Sequence, residues 1–423
     1  MLFIAGCGVV IIKEKHTGSA GAFYTGDYRN LFVEAGYSPQ QVTEKIDDAF
    51  KQLFYGDSNL QAVYFPVGVN ENGPLAYIFD FNNNDVRSEG MSYGMMIAVQ
   101  LDRKAEFDAI WNWARTYMYH DDPDHPGYGY FSWSMRTDGT ANDEMPAPDG
   151  EEYFATALYF ASGRWGNGEG IYNYRAEADR LLDDMKNRKV VTGRTNKGSM
   201  TVGSIFDPEH KMVRFSPVVR GSGYSQNENS ILHTDPSYHL PAFYELWAMW
   251  GSQTDRAFWE QAAAVSRDFF LFAANPVTGL TPEYANFDGT PCTGGWNSNS
   301  GDFRFDAWRT VMNWSMDWAW WARDVRERKL SDNVQAFFES KGMSDYGNHF
   351  TLDGEQLSND HSPGLVAMNA VAGLAATNER SKQFVRELWN TSVPSGQYRY
   401  YDSMLYMLGM LNCSGRYHIW PPQ

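Results

Sequence analysis

Read for hydrophobic periodicity, the chain divides into about twelve helical segments of alternating character, and this alternation limits its fold more than any other feature. The spacing predicts helices over 40–55, 88–101, 104–119, 149–163, 171–189, 239–250, 253–273, 304–325, 330–343, 362–377, 379–390 and 400–411. The odd members carry charge on one face, as in Glu177-Ala178-Asp179-Arg180-Leu181-Leu182-Asp183-Asp184. The even members are apolar or small all round: Gly94-Met95-Met96-Ile97-Ala98-Val99, Gly364-Leu365-Val366-Ala367-Met368-Asn369-Ala370 and Met404-Leu405-Tyr406-Met407-Leu408-Gly409-Met410. An amphipathic helix covers a core, and a helix that is apolar on every side lies inside one. The alternation therefore describes an all-α fold, an (α/α)6 barrel of six inner and six outer helices. No Pro/Ser-rich linker divides it, so residues 21–423 are expected to form a single domain.

Most connections from an outer to an inner helix are long and rich in aromatic residues, while several returns span two or three residues. Long loops gathered on one face build a binding site there. Functional residues should then sit where those loops meet the inner helices, at the helix N-termini. Glu89, Asp149, Tyr238, Asp306, His361, Tyr400 and Tyr401 all fall at such places.

Glu89 lies in Asn84-Asp85-Val86-Arg87-Ser88-Glu89-Gly90-Met91-Ser92-Tyr93-Gly94. A first-turn acid suits the helix dipole, but the helix that follows has no polar face and should be buried. A carboxyl group at the mouth of a buried helix would have its pKa raised by burial and by neighbouring acids, as a general acid requires. Asp306, in Phe303-Arg304-Phe305-Asp306-Ala307-Trp308-Arg309, reads either as a helix start with an Asp–Arg pair at i, i+3 or as a base kept ionised by Arg309. Asp149, in Ala147-Pro148-Asp149-Gly150-Glu151-Glu152, reads on its own as a helix start with acids in the first turn. The run His120-Asp121-Asp122-Pro123-Asp124-His125 has metal-ligand residue types, but its setting reads more simply as a solvated loop. No Cys/His metal spacing, Gly-x-Ser-x-Gly, P-loop or dinucleotide fingerprint is present, so no metal or cofactor is expected.

Composition narrows the partner. Aromatic residues make up 16% of the chain and 15 are Trp, more than a core needs. The excess fits flat faces for stacking pyranose rings, or large helices packed by large side chains. A net charge of -17 argues against nucleic acid, and no cluster of Lys and Arg appears. A neutral polysaccharide would be indifferent to that charge.

Of the three cysteines, Cys7 follows Ile4-Ala5-Gly6 in a pattern like a bacterial lipobox, whereas Cys292 and Cys413 leave their pairing open. Residues 1–20 then read as a truncated signal-like segment and linker, since only six residues precede Cys7. With a start upstream, the protein would be an extracytoplasmic lipoprotein, periplasmic or on the surface, anchored through Cys7. Otherwise it would be cytoplasmic. It is expected to be a monomer.

At these residues the sequence resembles glycoside hydrolase family 8. The resemblance rests on Asp85-Val86-Arg87-Ser88-Glu89-Gly90-Met91-Ser92-Tyr93-Gly94, Gly129-Tyr130-Phe131-Ser132-Trp133, Ala147-Pro148-Asp149-Gly150-Glu151, Asp235-Pro236-Ser237-Tyr238 and Phe305-Asp306-Ala307-Trp308-Arg309, and spans roughly residues 20 to 420. It implies an (α/α)6 barrel that hydrolyses β-1,4 glucan, xylan, chitosan or mixed-linkage glucan with inversion. It further implies Glu89 as general acid and Asp306 as general base, their carboxyl groups ~6.5–9.5 Å apart to admit a water. Asp149 would hold the distorted sugar, Tyr238 would help place the water and Arg309 would support the base. Trp133 would be a stacking platform on the non-reducing side, with Phe305, Tyr400 and Tyr401 near the reaction centre.

Within the family the chain resembles the reducing-end xylose-releasing exo-oligoxylanases. Phe206-Asp207-Pro208-Glu209-His210-Lys211, Tyr238-His239-Leu240-Pro241-Ala242-Phe243-Tyr244-Glu245-Leu246-Trp247-Ala248 and His361-Ser362-Pro363-Gly364-Leu365-Val366-Ala367-Met368-Asn369-Ala370 carry that likeness. It implies a xylo-oligosaccharide substrate and a loop whose His361 closes the cleft beyond the leaving xylose. The rival expectations are an endo-β-1,4-xylanase or other β-1,4-glycanase of the same family, a non-catalytic surface glycan-binding lipoprotein, and an (α/α)6 lyase or epimerase acting through Tyr or His.

Overall fold

Ser38 opens the first long helix: its side chain accepts from Gln41 N at 3.2 Å while the Gln41 side chain accepts from Ser38 N, a reciprocal cap that fixes where the helix begins. The computed structural model describes residues 20–221, 232–293 and 298–423. Among these residues, fourteen α-helices form. Two short ones, α1 (Ala22–Thr25) and α2 (Leu31–Glu34), precede α3 (Pro39–Tyr55), α4 (Ser88–Gln100), α5 (Lys104–Trp113), α6 (Pro148–Trp165), α7 (Tyr174–Asn187), α8 (Pro241–Trp250) and α9 (Arg256–Ala273). The rest are α10 (Asp306–Trp321), α11 (Arg326–Lys341), α12 (Pro363–Val371), α13 (Ser381–Asn390) and α14 (Arg399–Cys413).

The even-numbered helices from α4 to α14 form the inner ring and the odd-numbered ones from α3 to α13 the outer. Burial follows the residue pattern. Outer α7 buries Tyr174, Ala178, Leu181, Leu182 and Met185, one stripe of a charged helix, whereas every residue of inner α4 except Glu89 is buried. Proline at the first turn starts α6, α8 and α12, where its missing N–H leaves no bond unmade.

Side-chain size sets the spacing of the ring. A Cβ on Gly409 of α14 would lie 2.7 Å from the Ala367 Cβ of α12, so glycine there lets the two helices touch. The α6 and α8 backbones approach less closely. Large side chains bridge that joint: Trp247 Nε1 donates to Thr156 Oγ1 at 3.1 Å, and Tyr244 reaches Glu152.

Two predicted helices change pitch before they end. The 104–119 segment closes in a π turn, Ala114–Met118, and the 362–377 segment in a 3-10 turn, Ala372–Leu374. The helical reading also left out short antiparallel strands in the loops. They are β1 (Tyr64–Asn70) with β2 (Gly73–Ile78); β3 (Val86–Arg87), β4 (Ser134–Met135) and β5 (Ala141–Asp143); β6 (Val191–Thr195), β7 (Gly198–Val202) and β8 (Val218–Gly221); and β9 (His233–Thr234) with β10 (Ala285–Asn286). Two-residue strands carry no readable period, and β3 finds its partner β4 in a different loop.

Cys7 lies outside the described residues. Cys292 and Cys413 are both free. No helix among the described residues is long and apolar enough to cross a membrane.

Candidate active site

Arg309 sits one turn into α10 and is 1% exposed. A buried guanidinium must find acceptors, and the loops and helix starts around it supply carboxylates. Its Nη1 donates to Glu89 Oε2 at 3.0 Å, to Asp149 Oδ2 at 2.7 Å and to the Tyr93 hydroxyl at 2.6 Å. Its Nη2 lies 3.1 Å from Asp306 Oδ1 and 3.8 Å from Asp235 Oδ2. One fork thus draws together residues from α4, α6, α10 and the turn before α8.

Glu89 is largely enclosed but, alone in α4, keeps part of its side chain open, and its other oxygen accepts from the Tyr400 hydroxyl at 2.8 Å. Gly90 makes that contact possible, because a Cβ there would stand 2.5 Å from the Tyr400 ring. Burial raises the Glu89 pKa to about 7; Arg309 and Arg87 pull it down, while Asp149 and Asp306 push it up. Near neutral pH this carboxyl can therefore hold a proton and give it away. Burial also raises Asp149, against the pull of Arg309. Asp149 does not cap α6 through its side chain; it accepts from Gly150 N at 2.9 Å and turns inward to Arg309.

Asp306 is the most open of the four acids on Arg309, with 23% of its side chain accessible against 14% for Glu89, 5% for Asp149 and none for Asp235. Water reaches it most readily. The Tyr401 hydroxyl holds the segment before it, donating to Phe305 O at 3.0 Å and lying 3.3 Å from Asp306 Oδ1. Phe305 itself has φ 30° and ψ -94°, a region non-glycine residues avoid and that marks local strain. Its ring is 44% exposed and packs edge-on to His349 at 4.6 Å. Glu89 and Asp306 grip opposite nitrogens of Arg309 at 3.0 and 3.1 Å. Those contacts and the width of a guanidinium limit their separation to about 8.5 Å, a limit that overlaps the ~6.5–9.5 Å of an inverting pair.

Tyr238 closes the buried side, its ring centroid 5.8 Å from the Arg309 guanidinium carbon. Trp133 stands at the mouth: its carbonyl accepts from Ser88 N at 3.0 Å, and the Arg87 guanidinium lies 5.4 Å from its ring. His361 is not part of the cluster on Arg309. Its Nδ1 lies 2.9 Å from Tyr346 O, and its Nε2 is buried with no partner.

The 120–125 loop corrects its description as simply solvated. Residues 121–124 are exposed, but His120 and His125 are half-buried and stack at 4.0 Å, with His120 Nε2 3.0 Å from Ser132 Oγ. Among the described residues, no group of His, Cys, Asp and Glu has the arrangement of a metal site.

Three members of the site escaped the sequence reading. Asp235 appeared only as part of a motif, and its local signal is a turn: Oδ1 accepts from Ser237 N at 2.7 Å. Tyr93 lies within an apolar helix. Glu152 passed as a first-turn acid, yet it is fully buried.

The family model for glycosyl hydrolases family 8 matches residues 72–219 and 208–415. A reducing-end xylose-releasing exo-oligoxylanase of Halalkalibacterium halodurans is 43% identical over 407 residues, 95% of this chain and 97% of that one. Another, from Paenibacillus barcinonensis, is 41% identical over 95% of this chain and 98% of its own length. A crystal structure of a xylanase from Teredinibacter turnerae, a catalytic mutant in complex with xylohexaose, superposes with a TM-score of 0.91 at 58% identity, covering 95% of this chain and 100% of that one.

Proposed function

The chain belongs to glycosyl hydrolase family 8, and from that membership we propose that it releases xylose from the reducing end of β-1,4-xylo-oligosaccharides with inversion at the anomeric carbon. It is a glycoside hydrolase that acts on xylo-oligosaccharides. The observation that carries the reaction is the shared guanidinium: Arg309 holds a carboxyl group that keeps its proton up to about pH 7, Glu89, beside a more open one, Asp306.

In this reading Glu89 protonates the leaving glycosidic oxygen. Asp306 takes a proton from a water that attacks the opposite face of the sugar. Asp149, anchored on Arg309, holds the distorted ring at the cleavage point, and Tyr238 orients the water from the buried side. Tyr400 keeps Glu89 aimed, while Tyr401 steadies Phe305 and Asp306. Trp133 offers a sugar platform at the mouth.

A second reading, an endo-xylanase, is favoured by the 58% identity to the T. turnerae xylanase crystallised with xylohexaose. The contacts of His361 with Tyr346 favour it too, because a residue that blocks the cleft should face the leaving sugar. Timed product analysis on xylotriose to xylohexaose labelled at the reducing end separates the two. Labelled xylose alone at early times is the expected result. A spread of labelled oligomers would establish the endo reading, and His361→Ala would then leave the product pattern unchanged.

The lipobox-like run before Cys7 supports an extracytoplasmic, lipid-anchored protein. Metabolic labelling with a fatty acid should mark the wild type and fail to mark Cys7→Ser.

A further inference from the structure

Glu152 lies one helical turn beyond Asp149 on α6 and reaches the other way, toward α8. The Tyr244 hydroxyl stands 2.6 Å from Glu152 Oε1 and 3.1 Å from the Tyr238 carbonyl oxygen. A phenol has one hydrogen to give, and a carbonyl can only accept. If Tyr244 serves the Tyr238 carbonyl, the 2.6 Å contact must use a hydrogen carried by Glu152. An ionised Glu152 would instead claim the Tyr244 hydrogen and leave the carbonyl of a buried turn without a donor.

The surroundings favour the neutral acid. Glu152 is fully buried, and its Oε2 has no partner, a state a neutral carboxyl tolerates far better than a carboxylate. Burial raises its pKa well above the usual range. The Tyr244 hydrogen bond and Arg309 act against that rise, and Asp149 and Glu151 add to it. The hydrogen bonds then run in one direction, from Glu152 to Tyr244 to the Tyr238 carbonyl.

That carbonyl belongs to the turn that carries Tyr238. The rest of the turn is already clamped: Asn313 Nδ2 donates to Ser237 O at 2.7 Å and to His239 O at 3.1 Å, and Asp235 Oδ1 accepts from Ser237 N. Tyr244 supplies the remaining hold, at the residue whose ring faces Arg309.

We propose that Glu152 is a positioning residue for hydrolysis, a neutral acid that directs Tyr244 onto the Tyr238 carbonyl and so fixes the Tyr238 ring beside the reaction centre. The inference rests on the reading that Tyr238 orients the attacking water. Water placement affects the chemical step more than sugar binding, so kcat and KM should separate.

The test compares Glu152→Leu, Glu152→Gln and Tyr244→Phe with the wild type on reducing-end-labelled xylo-oligosaccharides, with thermal melting run alongside. Glu152→Leu and Tyr244→Phe should lower kcat roughly 10- to 100-fold, as a small misplacement does, with KM held within about twofold. Glu152→Gln, whose amide can donate the same hydrogen bond, should stay within about threefold of the wild type. A folded Tyr244→Phe with undiminished kcat would overturn the proposal, as would a Gln variant as impaired as Leu. If Glu152→Leu does not fold, Tyr244→Phe and Glu152→Gln decide the matter alone. Wild-type enzyme that leaves every oligosaccharide intact would overturn the hydrolase reading and this one together, whereas normal wild-type turnover with normal Tyr244→Phe turnover overturns this one only.

Discussion

The barrel buries an arginine near each end, and the two are compensated in opposite ways. Toward the C-terminal ends of α8 and α10, Arg267 binds Asp317 through Nε and Nη2 at 2.7 and 2.9 Å and Glu245 through Nη1 at 2.8 Å. Arg323 closes on Glu245 at 2.6 Å. Two cations thus face two anions. Glu327, beside Asp317, has its pKa raised well above the usual range by burial, with the Asp317 charge adding to the effect, and it adds no charge. At the N-terminal ends of the inner helices, one guanidinium, Arg309, contacts Glu89, Asp149 and Asp306 and lies 3.8 Å from Asp235, while Arg87 acts on Glu89 from farther away. The first arrangement is balanced and serves as a staple. The second is short of positive charge, and there burial raises Glu89, Asp149 and Asp235 above the ordinary carboxylate range, a condition that suits acid–base chemistry. The proportion of charge around each arginine, more than its burial, distinguishes the two sites, and it accords with a structural role for the first and the catalytic role proposed for the second.

The largest effect should come from removing an acid at the undercompensated end. Glu89→Ala and Asp306→Ala are each expected to lower kcat by roughly 10³-fold or more, since each takes away a proton-transfer group. Melting temperatures should hold or rise. Turnover within tenfold of the wild type in either variant would break the comparison, because that arginine would then be another staple. The wild-type profile sharpens it: activity should fall as pH rises through about 7, where Glu89 gives up the proton that its proposed role as general acid requires.

The balanced end should respond in the opposite sense. Asp317→Ala strands a buried guanidinium, so stability should drop by about 3–5 kcal/mol, while kcat per folded molecule stays unchanged. Denaturant unfolding with active-site titration would check it. A fall in kcat at full folding would mean that the two ends are coupled along α10.

Which of these features the sequence displayed depends on how locally each is encoded. The twelve longer helices are written in the alternation of charged-faced segments such as α7 with segments apolar on every side such as α4, and the N-terminal placement of the site followed from loop length. Glu89 was visible because a carboxyl group at the mouth of an apolar helix is conspicuous, whereas Asp306 read equally as a helix start paired with Arg309 until the family resemblance assigned it a role. Arg309 was readable only as a partner of Asp306 three residues away; its contacts with Glu89, Asp149 and Asp235 come from segments up to 220 residues distant and leave no local trace. Glu152 stayed hidden for the same reason, since what distinguishes it is Tyr244 on another helix. The strands β3 and β4 are two residues each, below the length at which alternation can be seen.

The smallest expected effect is also the one that tests charge shortage directly, because it concerns stability at the catalytic end. Glu89 has a folded-state pKa of about 7 against an ordinary value of 4.5. Below pH 4.5 the group is protonated in both the folded and the unfolded chain and favours neither. As pH rises from 4.5 toward 7 the unfolded chain releases the proton and the folded one keeps it, so folding loses stability across that window; above about 7 the loss is complete. Glu89→Gln cannot ionise and escapes this penalty. The variant should therefore be nearly inactive yet more stable than the wild type at pH 8, by about 3 kcal/mol, with the gain shrinking to nothing near pH 4. Paired denaturant curves at the two pH values measure it. An equal gain at both would assign the effect to packing rather than charge. A loss at pH 8 would mean that Arg309 compensates Glu89 fully, and the contrast between the two ends of the barrel would not stand.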